Sequence, residues 1–259
     1  MRIFLINLAR RPDRLAAMTQ ALGRLGLRHT RIDARDARDA DNFDGLFEDK
    51  GPLGEIPRGD KACLLSHRAA WAEFITSGES HAVILEDDVV LTPSAGQFLK
   101  NSGWIPPDVE LIKLEHYGPK SQSVLLSDFR DARNGFRLAR MHSRHTGAAA
   151  YILSRRLAEK LLTRQRFNLP VDHLLFNPNN SSLFATLAPF QLLPALARQR
   201  DFIGEKSDIE KTRVILRAFT PTYIKRELIR FGHDLKLLPR QLALAATGRA
   251  KFVRVETER

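Results

Sequence analysis

The first 32 residues change their hydrophobic pattern twice, and this constrains the fold more than any other feature of the sequence. Residues 2–8 form a short, mostly apolar run that predicts a buried strand. From Pro12 to Gly26 the apolar residues recur at helical spacing, which predicts a helix. A second strand is predicted at 29–32. This order of strand, helix and strand predicts an α/β fold with a mostly parallel sheet flanked by helices.

The rest of the chain continues this alternation after a long loop. Residues 33–60 are rich in Asp, Gly and Arg and show no sustained period, which predicts a loop of the kind that often carries function. The later pattern predicts helices at 61–77, 155–163 and 171–176 and strands at 81–85, 109–114, 147–154 and 190–193. From the length of 259 residues we expect one main domain and at most an appendage.

The positive charge of the chain is concentrated near its end. The formal net charge is +11, and residues 211–255 hold eleven Lys or Arg against two Asp or Glu. That segment therefore carries +9 and the rest of the chain +2, which is the balance of an ordinary globular domain. We predict a main domain over residues 1–205 and a basic, partly amphipathic, helical tail over residues 206–259. No nucleic-acid partner is expected.

Two interpretations of the tail stay open. Its apolar residues are interleaved with cations and interrupted by Pro221 and Pro239, so helical pieces would lay an apolar face on an anionic membrane surface. Alternatively, a helix packs on the domain and its cations face water. The single cysteine, Cys63, cannot form an internal disulfide, and the apolar start breaks at Asn7 without a signal cleavage site. These features predict a cytoplasmic protein, peripheral on the inner face of the cytoplasmic membrane under the first interpretation.

A run of three carboxylates, Glu86, Asp87 and Asp88, directly follows the predicted strand at 81–85. Carboxylates this close raise one another's pKa, and a divalent cation removes that cost. The cluster lies beyond the carboxyl end of a strand, where α/β sheets bind ligands, and its oxygen atoms suit Mg²⁺ or Mn²⁺. In an extended stretch Glu86 and Asp88 point to the same side and Asp87 to the other. The alternative is a solvated acidic turn.

Together with these elements, five short motifs resemble glycosyltransferase family 25, the lipopolysaccharide-type glycosyltransferases that include bacterial β-galactosyltransferases. The motifs follow the family's order at residues 6–14 (INLARRPDR), 62–67 (ACLLSH), 84–89 (ILEDDV), 146–154 (TGAAAYILS) and 170–172 (PVD). One departure lies at residues 59–62, which read GDKA where the family usually has Gly-Glu-Ile-Gly.

The resemblance implies a metal-dependent, inverting transfer of a hexose, galactose or glucose, from a UDP-sugar to a hydroxyl of a surface glycan or glycolipid such as lipopolysaccharide. Residues 1–205 are then a GT-A-like, Rossmann-type catalytic domain with Mn²⁺ or Mg²⁺ as cofactor. Glu86 and Asp88 are the predicted metal ligands, and Asp172 is the predicted general base. The predicted donor-binding residues are Asn7, Arg11, Arg14, Ser66, His67 and Asp87.

Several of these assignments have a structural alternative. Arg11 and Arg14 also fit a solvated helix start. His67 lies on the buried stripe of its predicted helix and also fits a hydrogen-bonded core histidine. Asp172 also fits a helix cap. For the whole chain, the alternative is a catalytically degenerate binding module whose tail docks on anionic lipid or nucleic acid.

Overall fold

The predicted opening of the chain is confirmed in the computed structural model. The structure describes residues 1–39, 43–118, 122–200 and 221–258. Strand β1 (Arg2–Asn7), helix α1 (Pro12–Arg24) and strand β2 (Thr30–Asp33) follow one another as expected. They are followed by α2 (Arg58–Thr76), which begins three residues before its predicted start, and by β3 (His81–Glu86). Strand β1 lies between β2 and β3 and pairs parallel with both.

The remaining elements surround this parallel unit. They are β4 (Val89–Leu91), α3 (Ala95–Leu99), β5 (Leu111–Lys113), β6 (Glu115–His116), β7 (Ser123–Asp131), β8 (Arg137–Met141), β9 (Ala150–Ser154), α4 (Arg155–Leu162), α5 (Val171–Phe176), α6 (Phe184–Leu187), β10 (Phe190–Leu193), β11 (Ala197–Gln199), α7 (Pro221–Ala246) and β12 (Lys251–Arg254). The helices predicted at 155–163 and 171–176 and the strand predicted at 190–193 are confirmed.

Among the described residues, the central sheet has nine strands in the order β12-β7-β8-β10-β5-β9-β3-β1-β2. Three pairings are parallel, β1 with β2, β1 with β3, and β5 with β10. The other five are antiparallel, beginning where β9 enters between β3 and β5. The α/β class with flanking helices is confirmed, but among the described strands the sheet is mixed rather than mostly parallel. An apolar run indicates that a strand is buried on both faces, and it does not fix the direction of that strand.

The two faces of the sheet pack on two apolar cores. Along β3, Ile84 belongs to the core that includes Trp71 and Phe74 of α2, whereas Val83 and Leu85 belong to the core that includes α1. Because side chains alternate along a strand, Glu86 continues the α2 face of β3. This alternation decides which helix each polar residue at the strand end meets.

The segment predicted as a loop at 33–60 is partly packed. It contains a short 3₁₀ turn (Asp44–Leu46), and four apolar side chains among its described residues are buried. These are Phe43, Phe47, Leu53 and Ile56. The burial of these side chains holds the segment against the α2 side of the sheet.

The end of the chain departs from prediction in two respects. Helix α7 continues through Pro239, so the predicted interruption there is wrong; proline removes one helical hydrogen bond, and the turns on either side continue. Strand β12 then pairs antiparallel with β7, and Val255 is fully buried. A division after residue 205 therefore assigns a strand of the central sheet to the tail. Residues 206–220 of the predicted tail lie outside the described residues.

Within the described part of the chain, none of the helices has the length and apolar character needed to cross a bilayer.

Candidate active site

A cavity of about 380 Å³ opens at the carboxyl ends of β1 and β3. From β1 the chain continues to β2 on one side and later returns to β3 on the other side of β1, so the strand order reverses between β1 and β3. Open α/β sheets bind ligands at such a point. The volume is typical of pockets for small-molecule ligands. The basic residues that line the cavity are Arg10, Arg14, Arg35, Arg38 and Arg58, and the acidic ones are Asp36, Glu86, Asp87 and Asp88.

The carboxylates at the end of β3 separate into two groups. Glu86 points towards α2, where its Oε1 lies 3.1 Å from Nε2 of His67. Asp87 and Asp88 form a turn before β4, and Nη1 of Arg14 lies 3.4 Å from Asp87 Oδ1 and 3.9 Å from Asp88 Oδ2. The side-chain alternation of an extended stretch therefore does not continue through residue 88, because this turn, called the acidic turn below, brings both aspartates to the same guanidinium.

Asn7 supports this turn from the end of β1. Its buried side chain donates from Nδ2 to Asp87 Oδ2 at 2.6 Å and to the carbonyl of Arg11 at 3.0 Å. Its Oδ1 accepts a hydrogen bond from Nε of Arg31 at 3.1 Å. Asn7 is not among the residues that line the cavity. Its contacts are those of a residue that fixes the position of Asp87.

Helix α2 presents Cys63, Ser66 and His67 to the cavity. The imidazole of His67 is buried, with Nδ1 2.9 Å from the hydroxyl of Tyr151. That hydroxyl oxygen accepts a hydrogen bond from Nε1 of Trp71 at 2.8 Å. Burial lowers the pKa of His67 to about 4, against weaker opposing effects of nearby carboxylates. His67 is therefore neutral near pH 7. It is a hydrogen-bonded core histidine and a cavity residue at once.

The segment between β2 and α2 supplies arginines that the sequence analysis did not select. The backbone N–H of Arg35 donates to Oγ of Ser66 at 2.9 Å, which ties this segment to α2. Arg38 and Arg10 pair with Asp36 at 2.9 and 2.7 Å, and the Arg38 hydrogen bond holds the pKa of Asp36 far below its usual range. The Arg-rich composition of residues 33–60 was a signal for these residues, but it did not indicate which arginines face the cavity.

A fully buried ion pair lies near His67. Lys113 Nζ is 2.7 Å from Glu115 Oε1, which also accepts from the backbone N–H of Ala149 at 3.1 Å. Burial lowers the pKa of Lys113 and raises that of Glu115, and the attraction between the two charges opposes both shifts. Gly147, whose carbonyl accepts from Lys113, has a φ of 89°, and a Cβ there would lie 2.5 Å from the ring of Tyr117. Glycine is required at this position.

Asp172 belongs to the surroundings of this ion pair rather than to the cavity lining. It lies in the first turn of α5, whose N-cap is Pro170, and its Oδ2 accepts from the backbone N–H of Gly147 at 3.4 Å. Its charge raises the pKa of His67 and of Lys113. Asp172 therefore lies close to the polar groups behind the cavity, and it is not the N-cap of its helix.

The structure brings six of the nine predicted site residues together in the cavity lining. These are Arg14, Ser66, His67, Glu86, Asp87 and Asp88. Asn7, Arg11 and Asp172 are not in that lining, and the guanidinium of Arg11 forms an ion pair with Asp13 at 2.8 Å. Sequence reasoning missed Arg10, Arg35, Arg38 and Arg58.

The carboxylates in the cavity lining suit a hard divalent cation. Carboxylate oxygens are the ligands that Mg²⁺ and Mn²⁺ prefer. Glu86, Asp87 and Asp88 supply such oxygens in the cavity lining, and Glu86 and Asp88 are the two that were predicted as metal ligands.

Residues 1–175, more than half of the chain, match the family model described as glycosyltransferase family 25, lipopolysaccharide biosynthesis protein. The chain belongs to glycosyltransferase family 25. The matched residues include both strands that border the cavity, α2, the acidic turn and Asp172. This membership confirms the family that the five motifs indicated.

Relatives of this family-25 chain include bacterial and animal proteins. The lacto-N-neotetraose biosynthesis glycosyltransferase LgtB of Neisseria gonorrhoeae is 32% identical over 153 residues, 54% of this chain and 52% of the relative. LgtE of the same organism is 28% identical over 77% of this chain and 72% of the relative. A probable inactive glycosyltransferase 25 family member 3 of Bos taurus is 26% identical over 81% of this chain and 38% of the relative. The chain thus spans about half of LgtB and less of the bovine protein.

Replacing His67 by Gln is expected to remove a pH dependence of stability. Burial keeps the pKa of His67 at about 4, below its ordinary 6.5, so the unfolded chain binds more protons between these pH values. Stability due to neutral His67 is thus fully present above pH 6.5 and is lost as the pH falls. Between pH 7 and pH 5 the loss is about 2 kcal/mol. Urea denaturation at both pH values measures it.

The variant His29→Gln is the control, because His29 stays partly exposed, and it should retain most of the dependence. Equal losses of stability in the starting protein and in His67→Gln would contradict the account of His67.

Proposed function

We propose that the chain is a metal-dependent, inverting glycosyltransferase that transfers a hexose, galactose or glucose, from a UDP-sugar to a hydroxyl of a surface glycan or glycolipid such as lipopolysaccharide. Membership in family 25 supports the reaction class. Relatives named for lacto-N-neotetraose and lipooligosaccharide biosynthesis support a glycan acceptor. The observation that carries the proposal is one cavity, at the divergence of β1 and β3, that combines five arginines with the acidic turn.

The arginines suit the diphosphate of a sugar nucleotide. Guanidinium groups bind phosphate through paired N–H donors and stay charged at any physiological pH. Arg35 and Arg38 come from the segment that joins β2 to α2, and Arg58 is the first residue of α2, so this segment and its junction with α2 supply three of the five arginines. Ser66 fixes the start of that segment through the backbone of Arg35. The segment therefore determines where a diphosphate lies.

The acidic turn suits the metal that such a donor requires. When bound at Glu86 and Asp88, Mn²⁺ or Mg²⁺ supplies Lewis-acid stabilisation of the leaving diphosphate. The chain's own residues hold the turn in place, because Asn7 donates to Asp87 and Arg14 lies within 4 Å of both aspartates. This arrangement offsets the repulsion among three consecutive carboxylates.

Asp172 is the proposed general base. The acceptor hydroxyl must lose a proton as it attacks the anomeric carbon, and a positioned carboxylate takes that proton. The carboxylate of Asp172 is oriented by the backbone N–H of Gly147 and lies outside the donor cavity but near His67 in its wall. That position supports a role for Asp172 towards the acceptor rather than the donor.

The transferase proposal predicts UDP release from a UDP-hexose in the presence of Mn²⁺ and an acceptor glycan. Replacing Asp88 by Asn removes one proposed metal ligand and should lower the rate by about a hundredfold or more. A panel of UDP-sugars with UDP detection measures the rate. Asp13→Asn is a matched control, since Asp13 is an exposed carboxylate paired with Arg11 outside the cavity, and it should leave the rate close to that of the starting protein.

No hydrolysis or transfer with any UDP-sugar, together with donor binding that Asp88→Asn leaves unchanged, would overturn the proposal. Salt-dependent binding of anionic lipid or nucleic acid without any transfer would favour the degenerate binding module. The match to a probable inactive family member of Bos taurus is the observation that keeps this second candidate in the test.

We also propose that α7 binds an anionic membrane surface, which would make the enzyme a cytoplasmic, peripheral membrane protein. Four apolar side chains at spacings of four, three and four residues form an exposed stripe on α7, and such stripes are unusual on a free surface. Their exposed fractions are Phe231 61%, Leu235 47%, Leu238 41% and Leu242 55%. Exposed cations, Lys236 and Arg240 among them, occur on the same helix.

A different part of α7 contacts the domain. Gln241 donates from Nε2 to the carbonyl of His142 at 3.0 Å, and Leu237 and Leu244 line a small pocket together with Phe184 of α6. One face of α7 therefore packs on the domain, as the second interpretation of the tail expects. The proposed membrane contact involves the other, apolar face.

Replacing Phe231 and Leu238 together by Ser should reduce the protein bound to vesicles containing phosphatidylglycerol by tenfold or more, because each buried side chain contributes about 1.5–3 kcal/mol. Flotation of the full-length protein measures the bound fraction, since truncation would also remove β12. Ala243→Ser is the control at an exposed position off the stripe. Unchanged binding in the double variant would contradict the proposal.

A further inference from the structure

Cys63, His67 and Glu86 bring three different metal-ligating atoms together in the wall of the cavity. Cys63 and His67 lie one helical turn apart on α2, and Glu86 ends β3. Their sulfur, nitrogen and oxygen atoms all lie within 4.8 Å of one another. The Sγ atom of Cys63 is 3.9 Å, and Nε2 of His67 is 3.1 Å, from the same Oε1 of Glu86.

We propose that these three residues form a Zn²⁺ site whose fourth position is open to the cavity. Tetrahedral zinc with bonds of about 2.3 Å to sulfur and about 2.0 Å to nitrogen and oxygen places its ligand atoms roughly 3.3–3.5 Å apart. The two separations in the structure, 3.9 and 3.1 Å, lie on either side of that range, and small side-chain rotations bring them into it. Three protein ligands and one open position is the pattern of zinc sites that bind a further molecule.

The ligand types favour zinc over the harder cations. Thiolate and imidazole are softer ligands than carboxylate, and they select Zn²⁺ over Mg²⁺ and Mn²⁺. A thiolate from Cys63 and the carboxylate of Glu86 together balance the charge of the ion, which suits a partly buried site. On binding, the thiol proton leaves to solvent and the imidazole stays neutral.

The surroundings of His67 provide the support that a ligating histidine needs. Such a histidine is usually oriented by a hydrogen bond from its second ring nitrogen. Nδ1 of His67 lies 2.9 Å from the hydroxyl of Tyr151. That oxygen accepts one hydrogen bond from Trp71 and has a second lone pair for an N–H at Nδ1, which leaves Nε2 to the metal.

The zinc site shares one residue, Glu86, with the Mn²⁺ or Mg²⁺ site proposed for the sugar-nucleotide donor. Asp87 and Asp88 lie within 4 Å of Arg14 and are not among the three zinc ligands. Because Glu86 belongs to both sets of ligands, Zn²⁺ competes with Mn²⁺ for this carboxylate. Only this competition rests on the proposed transferase function, whereas the site itself does not.

The test uses untagged, metal-free, full-length protein titrated with Co²⁺ and then with Zn²⁺. We expect one equivalent of Co²⁺ to produce the ultraviolet charge-transfer band of a thiolate-bound cobalt ion, and Zn²⁺ to displace it. Cys63→Ser should lose the band and bind Zn²⁺ at least about a hundredfold more weakly. Asp88→Asn is the matched control and should keep both the band and the zinc affinity, while it lowers the transferase rate.

A starting protein without the thiolate-to-cobalt band, or Cys63→Ser protein that binds Zn²⁺ as tightly as the starting protein, would overturn the proposal. Circular dichroism checks that each variant is folded. If Cys63→Ser does not fold, Glu86→Gln is used, which keeps the thiol and imidazole and should weaken Zn²⁺ binding by a similar factor; unchanged binding in that variant would likewise overturn the site.

Discussion

Three consecutive carboxylates leave the central sheet at the end of β3, and the balance of their charges determines how the site is built. Repulsion among them is offset in two directions. Asp87 and Asp88 turn towards Arg14 of α1, with Asn7 donating to Asp87 at 2.6 Å, whereas Glu86 points to His67 on α2. The strand end therefore connects the helices on the two faces of the sheet. The cavity lies where these two sets of contacts meet.

A second polar layer, whose side chains are fully buried, lies behind the cavity and reaches its wall at His67. The buried Lys113 and Glu115 pair, the Tyr151 hydroxyl and His67 are linked by short contacts or by their charges. A buried ion pair contributes little to the free energy of unfolding by itself, but removing one of its partners lowers that free energy by about 3–5 kcal/mol. Lys113 ends β5, Tyr151 lies in β9 and His67 lies on α2, so the layer joins these elements, and His67 connects it to Glu86. The position of Asp172 next to this layer connects α5 to the same set of residues.

The sequence predicted what depends on local pattern. Hydrophobic period located β1, α1, β2, α2 and β3, and the carboxylate run at the end of β3 indicated Glu86, Asp87 and Asp88. Ser66 and His67, which lie within α2, were predicted through the family resemblance. The β7–β8 hairpin was not predicted, because the second half of β7 consists mostly of polar residues that are exposed or only partly buried. The choice among the arginines depends on the path of residues 33–60, which is set by long-range packing of residues such as Phe47 against Phe167. The pairing of β12 with β7 depends on residues more than 100 positions apart, and no local pattern reports it.

The central claim is that the cavity between β1, β3 and α2 binds the nucleoside diphosphate of the donor. A crystal structure of the full-length protein with UDP and Mn²⁺ tests this claim most directly. The account predicts the diphosphate inside the cavity, in contact with Arg14 or with arginines of the segment between β2 and α2, and the metal at the acidic turn. A UDP molecule bound elsewhere on the protein, with this cavity unchanged, would contradict the account.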